Sequence, residues 1–451
     1  MSKKRPTAID LFCGAGGLSQ GLDDAGFRVL WGIDNEKNTK PTYEANHDCK
    51  MTVGDIRKEE PPDLGLEEGE LDLVAGGPPC PTFSLVGRSK INSIEGRNNQ
   101  SDERHLLYEE FLRFVDHYQP KAFIMENVEG MLSAENEDGR PVVDTIKEQM
   151  QGERPVSDMD LSLKYTVKVQ LLDAADYGVP QHRKRLFFIG NRLGTDNPDM
   201  EQWETHRPPK DEQEKKVKYK RDPSKRSGED QHTLDGFVDN REEREFPTFS
   251  KNKQSKQPWN TVADAILDLP PVSPKGDTPP TKAEEYKLGP VSVYQYWARN
   301  LNEDQDWEDQ DLLNHECRGH NMRDLTLYKL LGEGTSYIIG DIPEEHQPYR
   351  TDIFPDKLKK QNPKEPSTTI VAHLYKDGHM FIHPNEARSI TVREAARLQS
   401  FKDTFEFPVS RTHAFKQVGN AVPCLLAQAL GTAMRTEVFG QSVQEEPQKA
   451  N

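Results

Sequence analysis

Thr7-Ala8-Ile9-Asp10-Leu11-Phe12, followed by Cys13-Gly14-Ala15-Gly16-Gly17, is the stretch on which the fold turns. The first six residues read as a buried strand. Leu18, Leu22 and Ala25 then share one helical face, and Gly26 can stop the helix. Strand, glycine-rich turn and helix in that order open a doubly wound α/β sheet, in which backbone must come close to a bound nucleotide. Gly14 and Gly16 are followed by Ser19 where the dinucleotide fingerprint has its third glycine, so an adenosine-type ligand other than NAD is favoured. The next strand, Arg28 to Ile33, ends at Asp34, an acid placed where a ribose hydroxyl pair would be held. A further acid, Asp55, ends the segment 51–54.

Moving outward, the apolar run 71–75 empties into Gly76-Gly77-Pro78-Pro79-Cys80-Pro81-Thr82-Phe83-Ser84. Prolines fix φ near -65° on both sides of the thiol, and the glycines permit a sharp exit from the strand. Such a loop presents one sulfur at a fixed angle, which makes Cys80 a candidate nucleophile; a buried structural cysteine is the plainer alternative. At neutral pH a thiol needs positive charge or N–H groups nearby to become a thiolate. Leu107, Phe111, Phe114, Val115 and Tyr118 form a helical stripe that reads as core. A strand at 122–125 then delivers Glu126-Asn127-Val128 to the same rim as Cys80, although a helix-capping acid would look similar.

Residues 165–172 alternate as a strand, and Gln181-His182-Arg183-Lys184-Arg185 runs into another at 186–190. Arg183 and Arg185 are two apart on extended backbone and so share a face, a guanidinium pair suited to phosphate or a base carbonyl, or else a solvated charge run. From 191 to about 260 the chain turns charged and proline-rich. Residues 270–280 resemble a linker, helical pattern returns over 314–340, and 367–372 looks like a strand. Thr391 and Glu394 make a capping box for a helix ending near Gln399, and Gly419-Asn420-Ala421-Val422-Pro423 precedes an apolar helix at 425–434.

The chain has 451 residues, of which 33% are apolar, and a net charge of -17. That length allows a large core and more than one domain, and the polarity predicts long polar insertions. There is no run long and apolar enough to span a bilayer and no secretory signal, so the expectation is a cytoplasmic protein working beside the nucleoid, with no membrane partner. Five cysteines without a CxxC pair argue against a disulfide framework and against zinc. The acidic total is awkward for a nucleic-acid partner, but basic residues cluster: 207–226 holds nine Lys or Arg against four Asp or Glu. Lys251 and Lys253, 357–360, and Arg388, Arg393 and Arg397 form smaller patches.

Six blocks in this order resemble the DNA cytosine-5 methyltransferase family of restriction-modification type: 10–17, the Pro-Pro-Cys loop, Glu126-Asn127-Val128, Gln181-x-Arg183-x-Arg185, the 388–399 helix and 419–423. The resemblance implies a Rossmann-like sheet binding S-adenosylmethionine and a smaller, variable target-recognition domain. The expected division is 1–190 for the first part of the catalytic domain, 191–387 for the variable domain, 388–437 for its completion and 438–451 for a disordered tail. It further implies that the Cys80 thiolate adds to C6 of a cytosine flipped out of duplex DNA and that Glu126 holds N3 and the exocyclic amine. Arg185, and by the same motif Arg183, would grip the target nucleotide. Phe12, Gly14, Gly16, Asp34, Asn35, Asp55, Ile56, Pro79, Leu107 and Asn420 are the implied cofactor pocket, and no metal is called for.

The expected partner is double-stranded DNA, met by a monomer, with a cognate restriction endonuclease as a separately acting companion. A transfer-RNA cytosine-5 methyltransferase and a catalytically silent DNA-binding protein are the competing readings. The first typically carries a Cys-Phe-Thr signature that is missing here, and the second would not need every chemical position intact.

Overall fold

The computed structural model describes residues 5–79, 107–136, 138–157, 159–210, 246, 248–253, 255–274, 281–301, 310–332, 336–337, 342–347, 358–376 and 378–441. Seven strands form the central sheet: β1 (Thr7–Leu11), β2 (Arg28–Asp34), β3 (Lys50–Val53), β4 (Leu73–Gly76), β5 (Ala122–Val128), β6 (Thr166–Asp173) and β7 (Lys184–Asn191). Their order is β3-β2-β1-β4-β5-β7-β6. β1 to β5 are mutually parallel, and β7 runs antiparallel between β5 and β6. The chain leaves β1 toward β2 on one side and returns to β4 on the other, so the carboxyl ends of β1 and β4 flank the crevice where open α/β sheets bind ligands.

Period-two alternation puts successive side chains of each strand on opposite faces. Ala122, Ile124, Phe187 and Ile189 belong to one apolar core, and Phe123, Met125, Leu186 and Phe188 to the other. The second core is closed by α1 (Leu107–Tyr118), whose stripe of Leu107, Phe111, Phe114, Val115 and Tyr118 is buried as its spacing predicts. On the first face the helix Gly17–Asp24 packs against the C-terminal helix Cys424–Ala433. That core continues beyond the expected tail boundary, because Val438 is buried and the Phe439 ring meets Phe27 edge-on with centroids 6.0 Å apart.

The middle of the chain is not one detached unit. Trp203, Val262, Ile266, Tyr294, Leu312, Ile370 and Phe381 join the first core of the main sheet. A separate small core gathers Leu327, Tyr328, Leu331, Ile342, Leu358 and Ile382 around the helix Met322–Leu330. The strand expected at 367–372 does not form. Ser367 bridges to Gln181, and a 3-10 turn, Ala372–Tyr375, follows, so this backbone bonds to the loop before β7 rather than to a sheet. The patch of Arg388, Arg393 and Arg397 is corrected too, since all three side chains are buried against carboxylates and carbonyls. Most of the 207–226 cluster lies outside the described residues.

Ser19, the residue in place of the missing glycine, has a packing reason. Its hydroxyl donates to Asp10 Oδ2 at 2.6 Å and lies 2.8 Å from the Tyr43 hydroxyl, all of it buried. Asp10 Oδ1 has no hydrogen-bond partner, and burial pushes the carboxyl up to about 7, against the lowering effect of Ser19. A carboxyl raised above its unfolded value stabilises the fold below about pH 4, and that contribution is lost as pH climbs through the folded value. Relative to Asp10→Asn, the wild-type unfolding free energy is therefore expected to fall between pH 4 and 7, with a slope of up to ~1.4 kcal/mol per pH unit. Denaturant titrations of both proteins at several pH values check this; parallel profiles would mean that Asp10 ionises in the fold as it does in the unfolded chain.

Candidate active site

The glycine-rich turn after β1 leaves extended geometry at three points, with φ of 60° at Phe12, 55° at Gly14 and 90° at Gly16. At Gly16 a side chain is excluded twice, because the left-handed φ is joined by a buried histidine: an added Cβ would lie 2.2 Å from His47 Nε2. At Gly14 the same test finds open space. The Gly14 N–H donates to Asp34 Oδ2 at 3.0 Å, and the Glu36 N–H donates to Asp34 Oδ1 at 2.8 Å. Burial raises the Asp34 carboxyl, with these N–H groups opposing it.

Backbone bonds tie neighbouring strand ends together: Cys13 N–H to the Ile33 carbonyl at 3.0 Å and Gly54 N–H to the Asp34 carbonyl at 3.0 Å. Asn35 is exposed beside Asp34. Asp55, past the end of β3, is chelated by Arg57 at 2.9 and 2.7 Å, which holds its carboxyl below the usual range. Ile56 and Leu107 are buried, while Asn420, the last residue of the helix Arg411–Asn420, is exposed. That helix is anchored to the loop after β2 by Gln417, which donates to the Asn38 carbonyl at 2.6 Å.

Across the crevice, β4 ends at Gly76, opposite Met125 of β5, so Gly77-Pro78-Pro79 and Glu126 share one rim. The Gly77 N–H reaches the Leu11 carbonyl at 3.3 Å, and Pro79 is exposed. Gly77 leaves no room for a side chain without displacing the acid, because an added Cβ would be 3.0 Å from Glu126 Oε2. Cys80 itself lies outside the described residues. Glu126 Oε1 pairs with Arg185 Nε at 2.8 Å, with both side chains largely buried. The antiparallel register makes this pair, since it sets Val128 opposite Arg185 and Glu126 opposite Phe187.

Arg183 has a different environment from Arg185. Its side chain is 2% exposed, and its guanidinium donates to the Ile370 carbonyl at 2.8 Å and the Gly419 carbonyl at 3.2 Å. The two arginines are therefore not one outward-facing fork; Arg183 braces the return segment behind Arg185. Gln181 does the same from the other side, donating to the Leu398 carbonyl and to Gln399 Oε1 at 3.0 and 2.9 Å while accepting from the Ile370 N–H at 2.7 Å. Sequence reasoning passed over Asn127 as a site residue. It is buried and donates to the Pro78 carbonyl at 3.2 Å, clamping the backbone two residues before Cys80. Its place beside Glu126 was the available signal.

Among the described residues no three His, Cys, Asp or Glu side chains are grouped as metal ligands would be, and no helix is long and apolar enough to cross a membrane. The model of the C-5 cytosine-specific DNA methylase family matches residues 7–436. Type II methyltransferase M.AgeI of Thalassovita gelatinovora is 31% identical over 95% of this chain and 99% of its own length. Type II methyltransferase M.DdeI of Desulfomicrobium norvegicum is 31% identical over 94% of this chain and 86% of its own. A crystal structure of a prophage-encoded E. coli protein, assigned as a DNA modification methyltransferase, superposes with a TM-score of 0.61 at 21% identity, covering 96% of this chain and 99% of that one, which supports the fold. With its sheet, its crevice and this match along nearly its whole length, the chain belongs to the C-5 cytosine-specific DNA methylase family and is a DNA (cytosine-5-)-methyltransferase.

Proposed function

We propose that this methyltransferase acts on cytosine within one short sequence of duplex DNA, and that Cys80, Glu126 and Arg185 carry the chemistry on a base extruded from the helix. The observation that carries the reading is the Glu126–Arg185 pair at 2.8 Å, on the rim from which Gly77-Pro78-Pro79 leads to Cys80. C5 of cytosine is too electron-poor to take a methyl group unaided. Addition of the Cys80 thiolate at C6 turns the ring into an enamine. Glu126 is suited to hold N3 and the exocyclic amine, and Arg185 orients that carboxyl while adding positive charge near the adduct. Once C5 has gained the methyl group, loss of its proton reforms the C5–C6 double bond and breaks the C6–S bond, releasing the thiolate. Extrusion of the base costs a few kcal/mol and is needed because a stacked cytosine offers C6 to no side chain.

The residues at the crevice fit S-adenosylmethionine: an open glycine turn at Gly14, acids at Asp34 and Asp55, exposed amides at Asn35 and Asn420, and an apolar floor at Ile56 and Leu107. When bound, that cofactor supplies an electrophilic methyl on a sulfonium. Phe12, Gly16 and Pro79 complete the contour. Arg183 acts as a positioning residue, tying the base of β7 to the Gly419 carbonyl next to Asn420. The enzyme is proposed to act as a monomer, with any cognate restriction endonuclease a separate protein, as the type II names of its relatives suggest. Bisulfite sequencing of a methylation-free bacterium expressing the protein is the test. Unconverted cytosines in one recurrent short sequence are expected; a fully convertible genome from cells holding soluble protein would sink the reading.

A further inference from the structure

Between Gln181 and Arg183 stands His182, which no step above uses. Its side chain is 41% exposed, yet its Nδ1 lies 3.0 Å from Asp173 Oδ2, a carboxylate only 14% exposed. The other oxygen of Asp173 accepts from the Ala175 N–H at 3.3 Å and the Arg183 N–H at 3.1 Å. Burial works to raise this carboxyl, but the bond from His182 leads the contacts that bring it below the usual range. Asp173 is therefore an acceptor only, and His182 Nδ1 carries a proton. The ring is fixed a second time by Trp259, which it meets edge-on at 4.6 Å and 86°, and whose Nε1–H is tied to Asp176 Oδ1 at 2.9 Å. The His182 backbone is held as well: its N–H donates to the Ser367 carbonyl at 2.9 Å, and its carbonyl accepts the Thr369 hydroxyl at 2.7 Å. What remains is Nε2, which has no hydrogen-bond partner among the described residues.

We propose that His182 is a phosphate ligand, its Nε2–H donating to a phosphodiester oxygen of the bound DNA. A capping role for Asp173 would use Nδ1 alone and would not need the ring gripped on two sides with its other nitrogen left toward solvent. Because Nδ1 already carries a proton, a neutral ring would offer phosphate only a lone pair at Nε2, which repels it. The contact therefore forms with imidazolium, and DNA binding takes up a proton. The charged groups around the ring are Asp173 and Asp176, with Glu204 interacting with Asp176, and Arg183 and Lys184 following in the chain. Burial pushes the Asp176 carboxyl up to about 6, so its negative charge is lost only as pH falls through that value. Arg183 is turned to the carbonyls of Ile370 and Gly419, and Asp173 remains the counter-charge. A single donor of this kind positions the backbone and reads no sequence.

The inference rests on the DNA reading above, and the experiment separates the two. Full-length wild type, His182→Gln and His182→Lys are titrated with a duplex carrying the methylated sequence, over a range of salt and at pH 6.5 and 8. Calorimetry in two buffers of different ionisation heat reads proton uptake. The glutamine variant is expected to bind roughly tenfold more weakly at pH 6.5, with a salt slope shallower by ~0.9 and less proton uptake. The lysine variant should restore the slope without the uptake. A glutamine variant with wild-type slope and uptake overturns the inference while leaving the DNA reading intact; wild type with no salt-dependent affinity for duplex overturns both.

Discussion

Cys80→Ala is expected to remove methyl transfer by at least ~10⁴-fold while leaving duplex binding within a few fold of wild type. The size follows from the proposed mechanism, in which addition at C6 creates the enamine that neither Glu126 nor Arg185 would supply alone. The backbone that leads to Cys80 is held on both sides. β4 is paired on both sides, by β1 and β5, and Asn127 fixes the Pro78 carbonyl, so the loop departs from a rigid point. Pro78, Pro79 and Pro81 then restrict φ on either side of the thiol. Methyl incorporation into a duplex carrying the target measures the loss. Duplex with 5-fluorocytosine at the target gives the covalent readout, because fluorine cannot leave C5 as a proton does. Wild type should be trapped and Cys80→Ala should not. An alanine variant that keeps more than a few per cent of turnover, or a wild type that fails to form the adduct, would falsify the covalent mechanism.

The main sheet was legible in the sequence because its signals are local. The apolar runs at 122–125 and 186–190, the stripe of α1 and the Thr391–Glu394 capping box each depend on neighbours within a few residues, and each is found as expected. What escaped depends on pairing across the chain. Arg183 and Arg185 look alike in sequence; only the register against β5 sets Arg185 on Glu126, and only the approach of Ile370 and Gly419 takes up Arg183. Residues 367–372 have strand-like composition, but Gln181 and His182 claim their hydrogen bonds first. Arg388, Arg393 and Arg397 read as a surface patch because the groups that neutralise or cap them come partly from distant segments, such as Asp268 and the Leu313 carbonyl.

Arg397→Met is expected to cost about 3–5 kcal/mol of stability, a large fraction of what a folded domain has. Arg397 is fully buried and joins two separate segments. Its Nε and Nη2 bond Asp403 at 2.9 and 2.6 Å, while Nη1 donates to Asp268 Oδ1 at 2.5 Å and the Ala265 carbonyl at 2.9 Å. Asp268 is shared with Arg299 at 2.6 Å, and Asp403 accepts from the Tyr286 hydroxyl at 2.5 Å. Removing the central cation leaves the buried Asp403 carboxylate with the Tyr286 hydroxyl and with Arg393, a more distant cation at 3.7 Å. The penalty comes from that unpaired charge more than from the lost attraction, so the double variant Arg397→Met/Asp403→Asn should recover part of it. Urea unfolding of the wild type, the two singles and the double measures the coupling. Additive singles would mean that the aspartate is relieved some other way. The pH dependence has a fixed sign. Burial opposes ionisation of Asp403, but Arg397 outweighs it and holds the carboxyl below its usual range. The stability it contributes is therefore present above about pH 4 and lost as pH falls through the depressed value. Arg397→Met should flatten that acid limb while leaving the Asp10 effect, between pH 4 and 7, unchanged.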